Sequence, residues 1–592
     1  MEVSKEMVEK NKVRLLDVLS FVICLVVLWT VYINTDFKGV DDFLYHMDRL
    51  KQMLTCIEDG IYPDYYYNDY FKLGYGSSFL YPQFTLLFFV PFYFMGATAL
   101  NVAMVVTCVV THWLGFRTFA KRFSKNWCYA VPLYLGSSCF VTAMNGLDII
   151  SSFICCGLSW FFLAYLVDFM RGEGLFTKRK IAMIKASLFF FLMMGTSLIS
   201  SVVGFVACVF LFILYFRKER MKEYIEFAII NLGMNAFWLC RAVWQIGICT
   251  RLDEINENMR IGATRVDCNV GFQTIVPIFG VVESTVLGGN FFNSGYSYFN
   301  IFVTIILLYF AIKYHGKLSK KEYFVLGLCL VTMAISNLKV WSIINDIVDL
   351  RIQFPIRYGF YVLGALVLIA IRNVDFDKNK LNKQLFICLC LLIIPEVFQI
   401  TRCMIIRTHV IDADDMYAYL EGDKVFDWGT VDGDYKDWIE YAGSSIINGE
   451  YMDKSYTFNY SDFLHYKDTA RDQNGVGYPV EYDKNVTVVD IPSHEGDLVL
   501  TMPKLWYKGF HCYDEDGNEL SEVSKGYSQY CEVSIGDYSG KVYLVWKLPV
   551  ILQVLKLLCF IFIVILLRLL SMLYVLDKKI KTPEMLLTSD SV

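Results

Sequence analysis

A mainly α-helical, polytopic membrane protein carrying an α+β domain on its outer side is the fold class that three features of the sequence predict. The 592 residues are 56% hydrophobic and include 47 Phe, with a mean hydropathy of +0.43, more apolar than a soluble globular chain. Apolar runs approaching the roughly 20 residues of a bilayer crossing recur through most of the chain. Between residues 408 and 547 those runs break up, and Asp, Gly, Tyr and Ser take over.

Segments of crossing length lie at 15–34, 97–117, 127–144, 149–170, 181–198, 199–216, 223–248, 297–313, 323–340, 356–371, 385–402 and 549–575. That makes about twelve transmembrane helices by the length criterion. Their orientation follows from the Lys and Arg clusters, because positive loops stay in the cytoplasm. Lys5, Lys10, Lys12 and Arg14 precede the first span, and further clusters gather around Arg117 to Lys125, Arg171 to Lys180, Arg217 to Lys222, Lys313 to Lys321, Arg372 to Lys383 and Lys578 to Lys581. An even number of crossings separates successive clusters. Both termini are thus predicted to be cytoplasmic, with 35–96, 145–148, 249–296, 341–355 and 403–548 outside. The first helix keeps its charges and lacks a small-residue cleavage site, so it reads as a retained span. The run from Phe79 to Phe94 is apolar but short and is interrupted by Pro82 and Pro91, and counting it as a crossing would reverse every later loop. It is predicted to be a re-entrant or interfacial helix on the outer side.

The organisation that results is a transmembrane module at 1–402 with its outer loop at 35–96, an extracellular domain at 403–548, and a last helix with a cytoplasmic tail at 549–592. In the outer domain, the stretch 412–475 predicts a few helices and irregular loops. From about 485, period-two runs such as Leu498 to Met502 and Val542 to Trp546, separated by Asp/Gly turns such as Asp514-Glu-Asp-Gly-Asn518, predict a small antiparallel β-sandwich. The net charge of −5 averages a basic cytoplasmic rim and an acidic outer part, and no basic stripe with interleaved aromatics points to nucleic acid. Most of the 18 Cys fall inside spans as small apolar residues, and the absence of a CxxC or Cys/His spacing argues against zinc. Cys512 and Cys531 pair only if their strands are neighbours.

The strongest constellation stands in the first outer loop. Gly39-Val-Asp41-Asp42-Phe-Leu-Tyr-His46-Met-Asp-Arg49 follows directly after the first span. Read as a helix, its spacing puts Asp42, His46 and Arg49 on one face. The alternative readings are capping for Asp41 and Asp42, a loop hydrogen bond for His46, and an ion pair with Asp48 or Glu58 for Arg49. Next come Ile57-Glu-Asp-Gly-Ile-Tyr-Pro63, then Tyr65-Tyr-Tyr67, read as an interfacial aromatic belt rather than a sugar platform, and then Gly74-Tyr-Gly-Ser-Ser-Phe-Leu-Tyr81-Pro82-Gln83. Arg241 lies in the outer half of a span, where a charge is costly and functional by default. Asp148 sits in a very short outer turn, and Arg351, Gln353 and Arg357 stand at the outer start of a later helix.

The loop resembles that of GT-C-type membrane glycosyltransferases. Within them Gly-x-x-Asp-x-x-x-His-x-x-Arg, Gly-x-Tyr-Pro and Gly-Tyr-Gly-Ser-Ser-x-x-Tyr-Pro resemble the bacterial YfhO-like family, also labelled 6-pyruvoyl-tetrahydropterin-synthase-related. Gln353-Phe-Pro-Ile-Arg357, and a β-rich domain with Leu505-Trp-Tyr-Lys-Gly-Phe510 before a final span, are similar to further elements of that family. Ser197 stands where many relatives carry a His. The resemblance implies a bacterial cell-membrane enzyme that moves a sugar from a polyprenyl-phosphate carrier to a cell-surface glycan or teichoic-acid-type acceptor on the outer face. Such a transfer needs a base at the acceptor hydroxyl, and a fixed cation or metal at the departing phosphate. Asp42 is the preferred base and Asp41 its alternate, with His46 orienting the acceptor or handling a second proton. Arg357, Gln353, Arg351, Arg241, Arg49 and Tyr81 form the candidate lipid-phosphate set. Asp42 and Asp148 are the carboxylates a divalent ion, Mg or Mn, would use, although no dedicated oxygen-ligand loop is visible. A lipid-linked saccharide transporter would instead show internal repeats and midplane carboxylates. A non-catalytic scaffold of envelope assembly would keep the fold without the activity.

Overall fold

The computed structural model describes residues 15–22, 24–25, 41–67, 72–74, 76, 82–135, 150–173, 176–246, 318–335, 359–372, 465–466, 468–526 and 529–589. The helices are α1 (Asp41–Glu58), α2 (Phe84–Tyr93), α3 (Ala97–Phe123), α4 (Trp127–Leu135), α5 (Ile150–Arg171), α6 (Phe176–Met194), α7 (Leu198–Tyr215), α8 (Met221–Ile246), α9 (Lys320–Ile335), α10 (Gly359–Ile371) and α11 (Val550–Ser589). Among the described residues, four helices are long and apolar enough to cross a membrane, over Val102–Phe123, Ile150–Arg171, Lys218–Trp244 and Val550–Asp577. They coincide with four expected spans. The expected spans 297–313 and 385–402 lie outside the described residues, as does half of 15–34.

Helix α2 has 10 residues, with Pro91 inside it. At 1.5 Å per residue that is about 15 Å, half the roughly 30 Å of hydrocarbon a crossing requires. Its first amide, on Phe84, donates to Gly195 O at 3.1 Å, so it starts at the level of the α6–α7 turn. This agrees with a helix that does not cross. In the α6–α7 turn, Ser197 accepts from the Ser200 amide and caps α7, the helix-start role for which a short hydroxyl side chain suits.

Helices α3 and α5 form the centre of the bundle, and close approach is what the sequence provides there. A side chain at Gly115 would collide with the Gly157 carbonyl, and one at Gly157 would lie 2.6 Å from Thr111 Oγ1. Beside them His112 Nε2 donates to Phe153 O at 2.8 Å, which leaves Nδ1 to accept from Tyr134 Oη at 2.7 Å, while Trp160 Nε1 donates to the same hydroxyl at 3.0 Å. Satisfied polar groups of this kind fix one packing arrangement in an otherwise apolar interior.

The two ends of the helical body differ chemically. At one end the basic clusters interlock: Arg117 with Asp17 at 2.5 Å, Arg122 with Asp168 at 2.7 Å, Arg179 with Glu223 at 3.0 Å, Lys180 with Glu226, and Arg372 with Glu322 at 3.2 Å. Arg220 adds hydrogen bonds to the carbonyls of Phe169 and Met170 at the end of α5. The opposite end carries α1, the 59–83 loop and the β domain. That segregation is the arrangement anticipated from loop charge.

Among the described residues the first strand starts at Thr469, earlier than the sequence pattern indicates. Its strands are β1 (Thr469–Asp472), β2 (Gly477–Asp483), β3 (Val486–Ile491), β4 (Leu498–Leu505), β5 (Phe510–Tyr513), β6 (Glu519–Glu522), β7 (Ser524–Lys525), β8 (Tyr530–Gly536) and β9 (Gly540–Trp546). They form one antiparallel sheet in the order β6-β5-β9-β3-β2-β1-β4-β8-β7. The two strands at the ends of that order are separated only by Val523, and β6 also lies against β8. The N-terminal half of β2 pairs with β1 and its C-terminal half with β3, so the sheet bends there and its two ends come together, and the strands enclose a common interior as the expected antiparallel β fold requires. Alternating side chains, among them Val489, Leu500, Val533 and Val542, fill its interior. Cys512 and Cys531 are both buried there and both free, because β5 and β8 are not sheet neighbours. The part of the outer domain at 403–464 lies outside the described residues.

Candidate functional site

Helix α1 confirms the helical reading of the first outer loop, with Asp41 and Asp42 in its first turn and His46 one turn after Asp42. His46 and Arg49 are buried, at 1% and 0% exposure. Arg49 Nη1 lies 3.4 Å from His46 Nδ1, and Arg49 Nη2 donates to Pro82 O at 3.4 Å. One guanidinium thus ties the Asp-x-x-x-His-x-x-Arg helix to the end of the Gly-Tyr-Gly-Ser-Ser-x-x-Tyr-Pro segment. Arg49 therefore lies inside the packed loop rather than at its surface. Gln83 completes the tie by donating to Pro63 O and to Tyr66 Oη. Burial pushes the Tyr66 phenol above its ordinary value, against the opposing pull of Arg49, the Gln83 bond and Arg241.

Arg241, on α8, is fully buried beneath this loop. Its Nη2 donates to the Asp64 backbone carbonyl at 2.8 Å and lies 3.4 Å from Asp64 Oδ1. Lys556, on α11, reaches the other carboxylate oxygen at 2.8 Å and sits over the Tyr62 ring, 3.5 Å from its centroid. A carboxylate gripped by two cations from two packed helices far apart in sequence is the electrostatic centre of this end. Neither Asp64 nor Lys556 stands out in the motif reading above. Asp64 directly follows the Gly-x-Tyr-Pro element, and Lys556 is a lone charge in the apolar run Val550 to Phe560, which is the signal that could have found it.

A cavity of about 630 Å³ opens next to this triad. Tyr62, Asp64, Tyr67, Trp238, Trp546 and Lys556 line it, and Leu557 and Phe560 of α11, 58% and 64% exposed, flank its mouth. Rings, one carboxylate and one ammonium therefore face a space whose rim is apolar. Of the cations described at this end, Lys556 combines cavity lining with partial exposure, its side chain being 29% accessible.

The β domain closes the cavity from above, and the Tyr65-Tyr-Tyr67 run is what holds it there. All three tyrosines are buried, which corrects the expectation of a membrane-interface belt. Tyr67 Oη donates to Trp546 O at 2.6 Å and accepts from Trp546 N at 2.7 Å. Tyr65 stacks on Trp546 and meets Tyr507 and Phe510 edge-on. Lys504, buried at 1% exposure, donates to the carbonyls of Tyr67 and Lys72 at 2.9 and 2.6 Å, and the Leu505 amide donates to Leu73 O. Gly74 has φ +74, and any side chain there would strike the Tyr65 hydroxyl, so the first glycine of the Gly-Tyr-Gly motif is required by this interface.

The remaining predicted site residues, Tyr81, Asp148, Arg351, Gln353 and Arg357, lie outside the described residues, and with them the expected meeting of Asp42 with Arg357 and the Asp42–Asp148 metal pair. Among the described residues, no group of three or more His, Cys, Asp or Glu is arranged to hold a metal ion.

No family model matches the chain, and no curated protein matches it. Among solved structures, the crystal structure of ArnT from Cupriavidus metallidurans bound to undecaprenyl phosphate aligns with 68% of this chain and 74% of its own, at 12% sequence identity and a TM-score of 0.40. A TM-score of that size does not equate the two folds.

Proposed function

We propose that this chain is a GT-C-type membrane glycosyltransferase that moves a sugar from a polyprenyl-phosphate carrier to a cell-surface glycan or teichoic-acid-type acceptor, at the end of the molecule that carries the β domain. The observation that carries this reading is the cavity beside Asp64 and Lys556. It joins an apolar rim, suited to a lipid chain, with an ammonium suited to a phosphate and with rings suited to sugar faces. The motif resemblance of the first outer loop supports it, and the Arg49–Pro82 bond joins two of those motifs in one packed unit.

In this reaction an acceptor hydroxyl attacks the anomeric carbon, the bond from that carbon to the carrier phosphate oxygen breaks, and the configuration inverts. Asp42 takes the hydroxyl proton, with Asp41 as its alternate, and His46 orients the acceptor. The carrier phosphate leaves with a growing negative charge, which a nearby cation stabilises more strongly in the transition state than in the ground state. Lys556 joins Arg357 in that role. Arg241, clamped to Asp64, holds the loop against which Lys556 packs, and Gln353, Arg351 and Tyr81 remain in the phosphate set. The β domain selects the acceptor.

The test uses purified protein with a panel of polyprenyl-phosphate sugars plus acceptor, following release of the free carrier phosphate. Asp42→Asn should abolish turnover, with the protein reaching the membrane in normal amount, and Lys556→Met should lower it by 10²-fold or more, on the order of what one lost electrostatic contact to a developing charge costs. Full activity in Asp42→Asn removes the base assignment, and normal turnover in Lys556→Met removes the cavity from the reaction.

A further inference from the structure

A second cavity, of about 420 Å³, lies at the opposite, basic end, between α3, α5, α6 and α11. Nothing in the glycosyl-transfer reading uses it. Five cations line it, and three of them are matched: Arg122 by Asp168, Arg171 by Glu173, and Arg179 by Glu223 from outside the cavity. The other two, Lys178 and Lys185, have no carboxylate within ion-pair distance among the described residues. Lys185 instead lies over the faces of Tyr165 and Tyr574, at 4.7 and 5.1 Å from their centroids. The wall carries three acids, Asp168, Glu173 and Asp577, against its five cations, and Glu223 outside it is shared with Arg220, so a net positive charge remains.

The geometry points to a binding site for a singly charged phosphodiester, with the head group of an anionic phospholipid as the source the surroundings favour. A protein cation cluster normally either pairs internally or stays fully hydrated. Here Lys185 is half-buried against two tyrosine rings in a walled space whose sides include Ile181 and Ala182, with the exposed Lys178 at its edge, so an entering anion would be partly desolvated and held more firmly than at an open surface. The positive excess favours an anion, and a phosphodiester carries one negative charge. The chemistry of the mouth supplies the rest of the ligand: Tyr574 is 41% exposed, and Val575 and Leu576 beside it are 53% and 47% exposed, continuing the apolar face of α11. Acyl chains lying along that face would bring a head group to the two lysines. A free phosphate shares the anionic chemistry but makes no use of the apolar face.

The experiment takes the full chain into phosphatidylcholine nanodiscs and measures the retention of added phosphatidylglycerol by native mass spectrometry, with and without inorganic phosphate as competitor. Each lysine near an anionic head group is worth about 1 kcal/mol. Replacing both in K178Q/K185Q should therefore weaken phosphatidylglycerol binding about 30-fold, converted at 1.4 kcal/mol per decade. K178R/K185R, which keeps the charges, should retain binding. Lys218→Gln, at the same end but outside the cavity, should change it less than twofold. Competition by millimolar inorganic phosphate would assign the site to a soluble phosphate, and lack of competition would assign it to the lipid. Wild-type affinity in K178Q/K185Q, or an equal loss in Lys218→Gln, overturns the proposal, because binding would then reflect the general charge of this end and not the cavity.

Discussion

Asp64→Asn is the perturbation that isolates the ion cluster under the outer loop. The carboxylate is 5% exposed and is shared by a fully buried Arg241 and by Lys556. Removing one partner of a buried ion pair costs about 3–5 kcal/mol, because the other charge is left in a medium that solvates it poorly. Two details set the expected loss at the lower end, about 3 kcal/mol. The Arg241 bond to the Asp64 backbone carbonyl survives the substitution, and Lys556 is exposed enough for solvent to screen its contribution to no more than about 1 kcal/mol. Equilibrium unfolding of the detergent-solubilised protein measures the loss. The reasoning also requires non-additivity: Arg241→Gln in the Asp64→Asn background should recover about 2 kcal/mol of the summed single losses, since the uncompensated cation is then gone. A loss below about 1 kcal/mol in Asp64→Asn, or strictly additive singles, would show that water reaches the pair and that the cluster is a surface feature.

Tyr67→Phe removes both partners of the paired Trp546 backbone groups, each worth about 1–3 kcal/mol when buried and unmade; amide exchange should rise across β9 while α5 stays protected, and unchanged exchange in β9 would show that the domain is held elsewhere. Cys512 is fully buried and burial, with Glu519 adding to it, pushes its thiol up to about 12, so a thiolate-directed alkylating reagent at pH 8 should leave it unmodified in the folded protein and modify it only on unfolding. The Tyr66 phenol is raised from 10.0 by burial; a group that holds its proton more tightly in the folded state adds stability that is complete below pH 10 and is lost as pH climbs through the elevated value. A phenolate absorbance titration should accordingly show a tyrosine class that ionises only together with unfolding, and smooth titration of every tyrosine near the ordinary value would remove Tyr66 from the closed interior.

Helix positions and the chemical difference between the two ends were legible because each rests on a local property. Span length follows from apolar runs, and loop charge is carried by residues adjacent in sequence, as at Lys178 to Lys180 and Arg217 to Lys222. The turn-bounded alternation of 498–546 likewise marks strands. What stayed hidden depends on contacts between remote segments. Period-two patterning says which face of a strand is buried but not which strands pair, and the change of partner within β2, from β1 to β3, is invisible in it. The Tyr65-Tyr-Tyr67 run carries the composition of a membrane-interface belt, and only its partners nearly 500 positions later, at Trp546, make it a domain anchor. Asp64 and Lys556 could be connected only by folding, since they stand 492 residues apart.

The separation of those partners explains why the outer end can act as one unit. Arg49 links α1 to Pro82, Arg241 and Lys556 link α8 and α11 to Asp64, and Tyr67 links the same loop to the last strand of the sheet. Every one of these links ends on a described residue between 49 and 82, so Arg49, Asp64, Tyr67 and Pro82 cannot shift without disturbing the helical body, the β domain and the last helix together. Because three of the links use charged groups or paired backbone atoms in buried surroundings, a partial opening would strand them away from water, and intermediate positions are disfavoured. Any entry of a lipid-borne ligand beside Leu557 and Phe560 must then work through side-chain motion at the cavity mouth, or through a concerted shift of α11 with the β domain it supports. Disulfide trapping across Tyr62 and Gln553, both on the cavity wall, separates the two cases: closure that leaves ligand entry unaffected selects the side-chain route, and closure that blocks it selects the concerted one.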